Sequence, residues 1–427
     1  MLRSFLWLGL ILSFPAWTAG LPAGTVTVDY RVFPGLARMD GNWSALLAGN
    51  NGRIYIGLAY HGGDGHLVYY DSKADRMNDV GALTGLCGEQ SLKRGPQAKI
   101  HTRFGEDKDG RIYFGTQYGY DFNFARHATK EGYPGGHWMV YDPATTRVND
   151  MGIGVPYEGF VAGNYDPLYN RIYGITDPRG HFVFYDMAKS VTVNQGRLNN
   201  WDSLCRSLGI DDQGNVYGSF GRGQIFKYDP RTGDLRELSV RLPVRQKGIS
   251  QGRDYNKSET AWRVVVWDKQ TRKFYGVEES ASTLFSFDTN TGLDGEVRAL
   301  GQLCIPGSED RREVSFATLS LTIGIDRNLY YAAAGREFDY AGSAGLGASH
   351  LITYSLQNDN IEDHGEMRLP DGRIVIGTNS ADTGTNGTIY FGGAIEVNPE
   401  DGKPVEAAGK IGGKNYRLAL IIYHPAR

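Results

Sequence analysis

His101, Tyr118, Tyr120, His127, Tyr157, Arg179, Arg206 and Arg263 are the residues of this chain whose types and positions could do chemistry together. Histidine and tyrosine transfer protons, and arginine clamps anions. The chain shows no nucleophile elbow and no phosphate-binding glycine loop, and no close acid pair of the glycosidase kind stands out among these positions. The set suits removal of a proton next to a carboxylate. Such a proton is weakly acidic, so the carboxylate must be neutralised as charge develops on it. Arg or protonated His does that, Tyr or His takes the proton, and a second group protonates the leaving oxygen. On a 4-linked uronic acid this is β-elimination. Taken singly, a strand histidine is more often structural than catalytic, and Arg206 or Arg263 could equally be a salt-bridged structural arginine.

A repeat brings these positions together. A polar turn, then "RIY" or a variant, then a small residue occurs seven times: "GRIYIG" at 52, "GRIYFG" at 110, "NRIYGI" at 170, "GNVYGS" at 214, "RKFYGV" at 272, "RNLYYA" at 327 and "GTIYFG" at 387. The copies lie roughly 45 to 60 residues apart, the spacing of propeller blades. Most copies are followed by a strand ending in Asp, such as "HLVYYD" at 66, "HWMVYD" at 137 and "HFVFYD" at 181, and then by a short outer run. The expected architecture is all-β, a seven-bladed β-propeller of four-stranded antiparallel blades. The last blade lacks a fourth strand, and "TVTVDYRVF" at 25 to 33 has no blade of its own, so the N-terminal segment is expected to close the ring. An open sandwich with a frayed N-terminus is the alternative. In a closed ring the inner-strand starts and the second-to-third loops share one face. That places Asn42, Trp43, His101, Cys205, Arg206, Trp262 and Arg263 with His61, Tyr118, Tyr120, His127 and Arg179 around the channel mouth, where ligand sites on concave folds sit. The blade-two loop, 117 to 136, is long, and long loops in compact repeats tend to be functional.

Composition agrees. The 427 residues carry a formal net charge of -3, which gives no sign of a nucleic-acid partner. The 58 glycines and 12% aromatics suit repeated hairpins. Arg3, the apolar "FLWLGLILSF" and the small-residue "PAWTAG" read as a secretory signal over residues 1–20, leaving 21–427 as one domain. Nothing later approaches a membrane span. A secreted or periplasmic monomer is expected. Cys87, Cys205 and Cys304 are an odd number, so at least one has no internal disulfide partner.

"KIHT", "RIYFGT", "YPGGHWMVYDP" and "RIYGITDPRGHFVFYD" together resemble the seven-bladed propeller ulvan lyases and their relatives, best over blades two to four. "KIHT" and "PGGH" are the more specific parts. The resemblance implies a secreted lyase that cleaves ulvan, a sulfated polysaccharide of rhamnose and uronic acids, by β-elimination. It implies His101 as the first site histidine, His127 or His137 as the second, Tyr157 as the tyrosine and Arg179 as the carboxylate clamp, with Arg206 in reserve. His137, Tyr118, Arg206 and Arg263 are then expected as substrate contacts. It also implies a structural zinc ion. His181, Cys205, Cys304 and His350 fall on the same side of the ring, and Cys with His suits tetrahedral zinc. A disulfide between two of the cysteines is the alternative. The competing functions are a non-catalytic carbohydrate- or protein-binding propeller and a metal-dependent hydrolase or lactonase.

Overall fold

Each "RIY" segment is apolar on alternate residues and follows a turn rich in Asp, Asn and Gly, which is the pattern of a strand entered through a hairpin. In the computed structural model all seven are the second strands of their blades: Arg53–Leu58, Ile112–Gln117, Arg171–Asp177, Val216–Phe220, Lys273–Glu278, Asn328–Ala333 and Ile389–Glu396. The structure describes residues 24–89, 95–119, 132–198, 205–243, 249–250, 253–254, 261–279, 281–307, 317–333, 348–398, 407–411 and 414–426. Seven antiparallel sheets succeed one another along the chain, a seven-bladed propeller, with a separate small hairpin of Ile249–Ser250 and Arg253–Asp254. Among the described residues no helix is long and apolar enough to cross a membrane.

Two devices explain why the repeat reads as it does. The turn aspartate before the second strand accepts backbone N–H groups and the tyrosine hydroxyl of the "RIY" copy. Tyr113 donates to Asp107 at 3.1 Å, Tyr217 to Asp211 at 3.2 Å and Tyr330 to Asp326 at 2.7 Å. The second device sits at the start of the third strand. His66, His137 and His350 each hydrogen-bond an aspartate on the outer strand through Nδ1: Asp79 at 3.1 Å, Asp150 at 2.9 Å and Asp363 at 2.9 Å. In each case the outer strand bulges just after that aspartate, at or beside the glycine two residues on. Gly152 and Gly365 donate their N–H to the same aspartate at 2.8 Å and take positive φ (97° and 101°), which a residue without Cβ adopts without strain. The pair thus pins a bulge that curls each blade's outer edge.

The N-terminal segment closes the ring as expected, but only part of residues 25 to 33 completes the last blade. The segment divides at Val28. Asp29–Val32 pairs antiparallel with Lys414–Tyr423 and supplies the missing fourth strand of blade seven. Thr25–Thr27 pairs parallel with Asn360–Arg368 and adds a fifth strand to blade six. Val28 lies 1% exposed between the two, packed with Met367, Ile389 and Phe391. Removing residues 25–32 uncovers an edge in two blades at once. Thermal unfolding of that truncation should fall by about 5 °C or more; an unchanged midpoint would contradict the closure.

Candidate functional site

The mouth residues share a backbone cause. Near the mouth the inner strands carry extra residues that their partners lack. In blade two, Ile100 faces Thr116 and Gly105 faces Tyr113, so five steps on the inner strand match three on its neighbour. His101, Thr102 and Arg103 lie in that two-residue excess. In blade one, Gly41 faces Ala59 while Ala45 accepts from Gly57, and Asn42, Trp43 and Ser44 lie between. Blade five shifts register between Trp262 and Val264, at Arg263. Bulges re-aim side chains, and here they release them from the sheet. Ser44 Oγ donates to the Arg206 carbonyl at 3.4 Å, and Arg103 Nη1 donates to the Val265 carbonyl at 3.0 Å. These bonds join blade one to blade four and blade two to blade five. They span the axis, so the channel is bridged at this level.

His101 lies at the centre of this arrangement and is 5% exposed. Its ring stacks on Trp43, with centroids 5.8 Å apart and planes 8° from parallel. Nδ1 is buried without a hydrogen-bond partner. Burial, and then the cations Lys99, Arg206 and Arg263, hold its pKa well below the usual histidine range. The ring is therefore neutral at physiological pH and has a free lone pair, the state a general base needs. His61 meets Trp43 edge-on, with centroids 6.0 Å apart, and its Nδ1 is 2.7 Å from Asp40. Burial lowers the His61 pKa, the Asp40 hydrogen bond opposes this, and Lys99 lowers it further. An Asp-oriented imidazole is the arrangement that fixes a tautomer for proton transfer. Tyr118 donates its hydroxyl to Asp177, and burial followed by that carboxylate drives its pKa up, so the phenol stays protonated.

The other expected residues are placed as follows. Tyr120 and His127 lie outside the described residues. Arg263 is buried and meets Glu279 at 3.1 Å. Arg179 is part-exposed and meets Glu158 at 3.3 Å. Glu158, wholly buried, also accepts from the Thr176 hydroxyl at 2.6 Å and bonds His181 Nδ1 at 3.0 Å. Tyr157 sits on a turn with φ of 67°, more than a third exposed, and its N–H donates to Pro134. His137 is enclosed between Asp150 and Glu89, whose oxygen is 3.0 Å from Nε2. Both ring nitrogens are thus engaged, which describes a structural stitch between the blade-one exit and blade two. Among the four expected zinc ligands, His181 and His350 bond Glu158 and Asp363. Cys205 packs in an apolar cluster with Phe182 and Trp262, where burial pushes its thiol up to about 12. The three cysteines are buried free thiols, so the disulfide alternative is not formed. Among the described residues no three His, Cys, Asp or Glu side chains gather as a metal site, and the expected four do not fit one tetrahedral centre.

Burial opposes a charge on His137, but Asp150 and Glu89 outweigh it and raise the pKa to about 9. The folded value exceeds that of an unfolded histidine, about 6.5. The stabilisation is therefore complete below about pH 6.5 and is lost as pH rises through about 9. The melting temperature should fall across that window, and His137→Gln should flatten the fall. A wild-type curve that is level from pH 6.5 to 9 would refute this.

Residue-type reasoning missed Lys99 and the pairing of Asp40 with His61. Lys99 precedes His101 by two, and same-side alternation along a strand was the available signal. No family model and no curated protein matches the chain. Among solved structures it is similar to a fungal alcohol oxidase of the AA5 family in complex with copper (11% identity, TM-score 0.54, covering 90% of this chain and 75% of that one). It is similar to the RRP9 WD40 repeats (9%, 0.54, 92% and 97%) and to the β-propeller domain of Cps50 (Swd1) from Myceliophteria thermophila (8%, 0.54, 93% and 100%). At such identities the likeness shows the fold alone.

Proposed function

We propose that the protein is a secreted polysaccharide lyase that cleaves a uronic-acid-containing glycan, ulvan or a related acidic polysaccharide, by β-elimination. The observation that carries this reading is the buried His101 ring at the bridged channel mouth, stacked on Trp43 with Nδ1 lacking a protein partner, where burial and the cations Lys99, Arg206 and Arg263 lower its pKa. Cations there neutralise a uronate carboxylate and make the adjacent C–H more acidic, and His101 takes that proton. The Tyr118 phenol, which stays protonated, is suited to give a proton to the departing glycosidic oxygen.

The second reading, a non-catalytic carbohydrate- or protein-binding propeller, is favoured by the enclosure of His101, which leaves little of the ring open to a substrate. One assay separates them. β-Elimination leaves a conjugated unsaturated uronate that absorbs in the ultraviolet. Protein incubated with ulvan, pectin, alginate and glycosaminoglycans should generate that absorbance on at least one of them. Binding to any of these glycans with no absorbance on all four would sink the lyase reading and favour the second.

A further inference from the structure

We propose that a cavity between blades six and seven, on the face opposite the channel mouth, is a binding site for a guanidinium group carried on a short aliphatic stem. The site is separate from the mouth and does not rest on the lyase reading.

The repeat points to the ligand. Three residues before the "RIY" tyrosine the backbone takes a positive φ in every blade, from 50° at Asn170 to 86° at Gly387. That residue is an arginine in blades five and six. Each of the two reaches back to the first turn of the preceding blade and pairs with an aspartate there. Arg272 Nε is 3.0 Å from Asp212, and Arg327 holds both oxygens of Asp268 at 2.6 and 2.8 Å. Blade seven has Gly387 at this place. The first turn of blade six lies against it, since a Cβ on Gly387 would stand 2.6 Å from Ile325 Cδ1. That turn also carries an aspartate, Asp326. The acid is thus present without the arginine, and a cavity of about 340 Å³ occupies the seam.

Its walls are Ile325 and Asp326 of blade six, residues 386–388 of blade seven, and residues 424–426 beyond the last strand. Asp326 accepts the Asn328 N–H at 3.2 Å, the Asn328 side-chain amide at 2.8 Å and the Tyr330 hydroxyl at 2.7 Å. A carboxylate has about four acceptor positions, so one stays open. Among the described residues no cation pairs with Asp326. On the opposite wall His424 Nδ1 lies 3.2 Å from the Thr388 hydroxyl, and a second carboxylate, Asp29, is 3.9 Å from Nε2. The polar side of the cavity is therefore acidic. Ile325, 68% exposed, and Pro425 supply apolar surface beside it. A guanidinium suits both parts. It is planar, weakly hydrated and donates in a fork to a carboxylate, and its alkyl stem packs on apolar side chains. An acidic sugar would meet Asp326 and Asp29 and be repelled.

The test is calorimetric titration of the full chain with acetyl-argininamide, its citrulline and lysine counterparts, and a glycine pentapeptide with arginine at its centre. Citrulline keeps the shape and removes the charge, so it should bind about tenfold or more weaker. Lysine should fall between, because a point charge does not reproduce the fork. Equal affinity for the single residue and the pentapeptide assigns a free guanidine. Binding of the pentapeptide about tenfold tighter assigns a protein segment; either supports the site. Gly387→Arg fills the cavity from the chain itself, at a φ that Arg272 and Arg327 already adopt, and displaces only the exposed tip of Ile325. It should abolish binding of acetyl-argininamide. Asp326→Asn should weaken that binding about tenfold or more. Asp326 also holds its own turn, so the citrulline comparison on wild type decides the matter if that variant fails to fold. Arg427 follows the last lining residue in sequence and lies outside the described residues. Binding by Arg427→Gln but not by wild type would mean that the chain fills its own site, and would overturn an external ligand. No binding by either at millimolar probe, equal binding of the arginine and citrulline probes, or unchanged binding by Gly387→Arg would overturn the site.

Discussion

His101→Ala should lose about a thousandfold in kcat on the glycan that the wild type cleaves, with the protein still folding cooperatively. Removing a positioned base typically costs two to four orders of magnitude. A purely packing histidine would behave in the opposite way, since its loss would lower stability and leave turnover largely intact. The two outcomes separate cleanly because Nδ1 makes no hydrogen bond within the protein, so alanine leaves no partner stranded at that atom. His101→Gln keeps polarity and much of the volume against Trp43 but cannot act as a base. It should be as inactive as alanine and more stable. Turnover within a few-fold of wild type in both variants would remove His101 from the reaction.

Glu158→Ala should be the most destabilising single change near the site. Its side chain is wholly buried and serves Thr176, His181 and Arg179 together. Taking away one member of a buried charged network leaves the others unpaired, and such losses run to about 3 kcal/mol or more in denaturant unfolding. Glu158→Gln should recover part of this, because the Thr176 hydroxyl keeps an acceptor. The same variants test Arg179. Glu158→Gln removes the charge that Arg179 pairs with, so if Arg179 clamps a carboxylate, KM should change in that variant at concentrations where the protein is fully folded. A loss below about 1 kcal/mol for Glu158→Ala would show that the network is not held together as described.

The blades were legible because the same physical need recurs in several of them. A turn aspartate holds the tyrosine hydroxyl from six residues before it in Asp107 with Tyr113 and Asp211 with Tyr217, and from four in Asp326 with Tyr330. The third-strand histidines were legible by the same logic and were misplaced for lack of it. His66, His137 and His350 each stand thirteen residues before their aspartate. A residue that keeps one repeat position through several blades serves the repeat, whereas His101 has no counterpart at its position in the other blades. His181 shows the rule from the other side. Its outer-strand position holds Asn194, and the ring turns to Glu158 instead. The bulges could not be read, because an extra residue in an inner strand looks like any other loop until its pairing is known.

The divided N-terminal segment sets the order in which the molecule can be completed. Asp29–Val32 pairs with Ile422 and its neighbours, and Thr25–Thr27 pairs with the outer strand of blade six, both far along the chain from the segment they hold. Contacts so distant along the chain form slowly. Until those strands are made, Val26, Val28 and Val32 have no place to bury, and two blades wait with bare edges. Such a chain is exposed to wrong pairing with its own copies for the whole of its synthesis. Its yield in the folded form should therefore depend on what guards residues 25–32 during that wait.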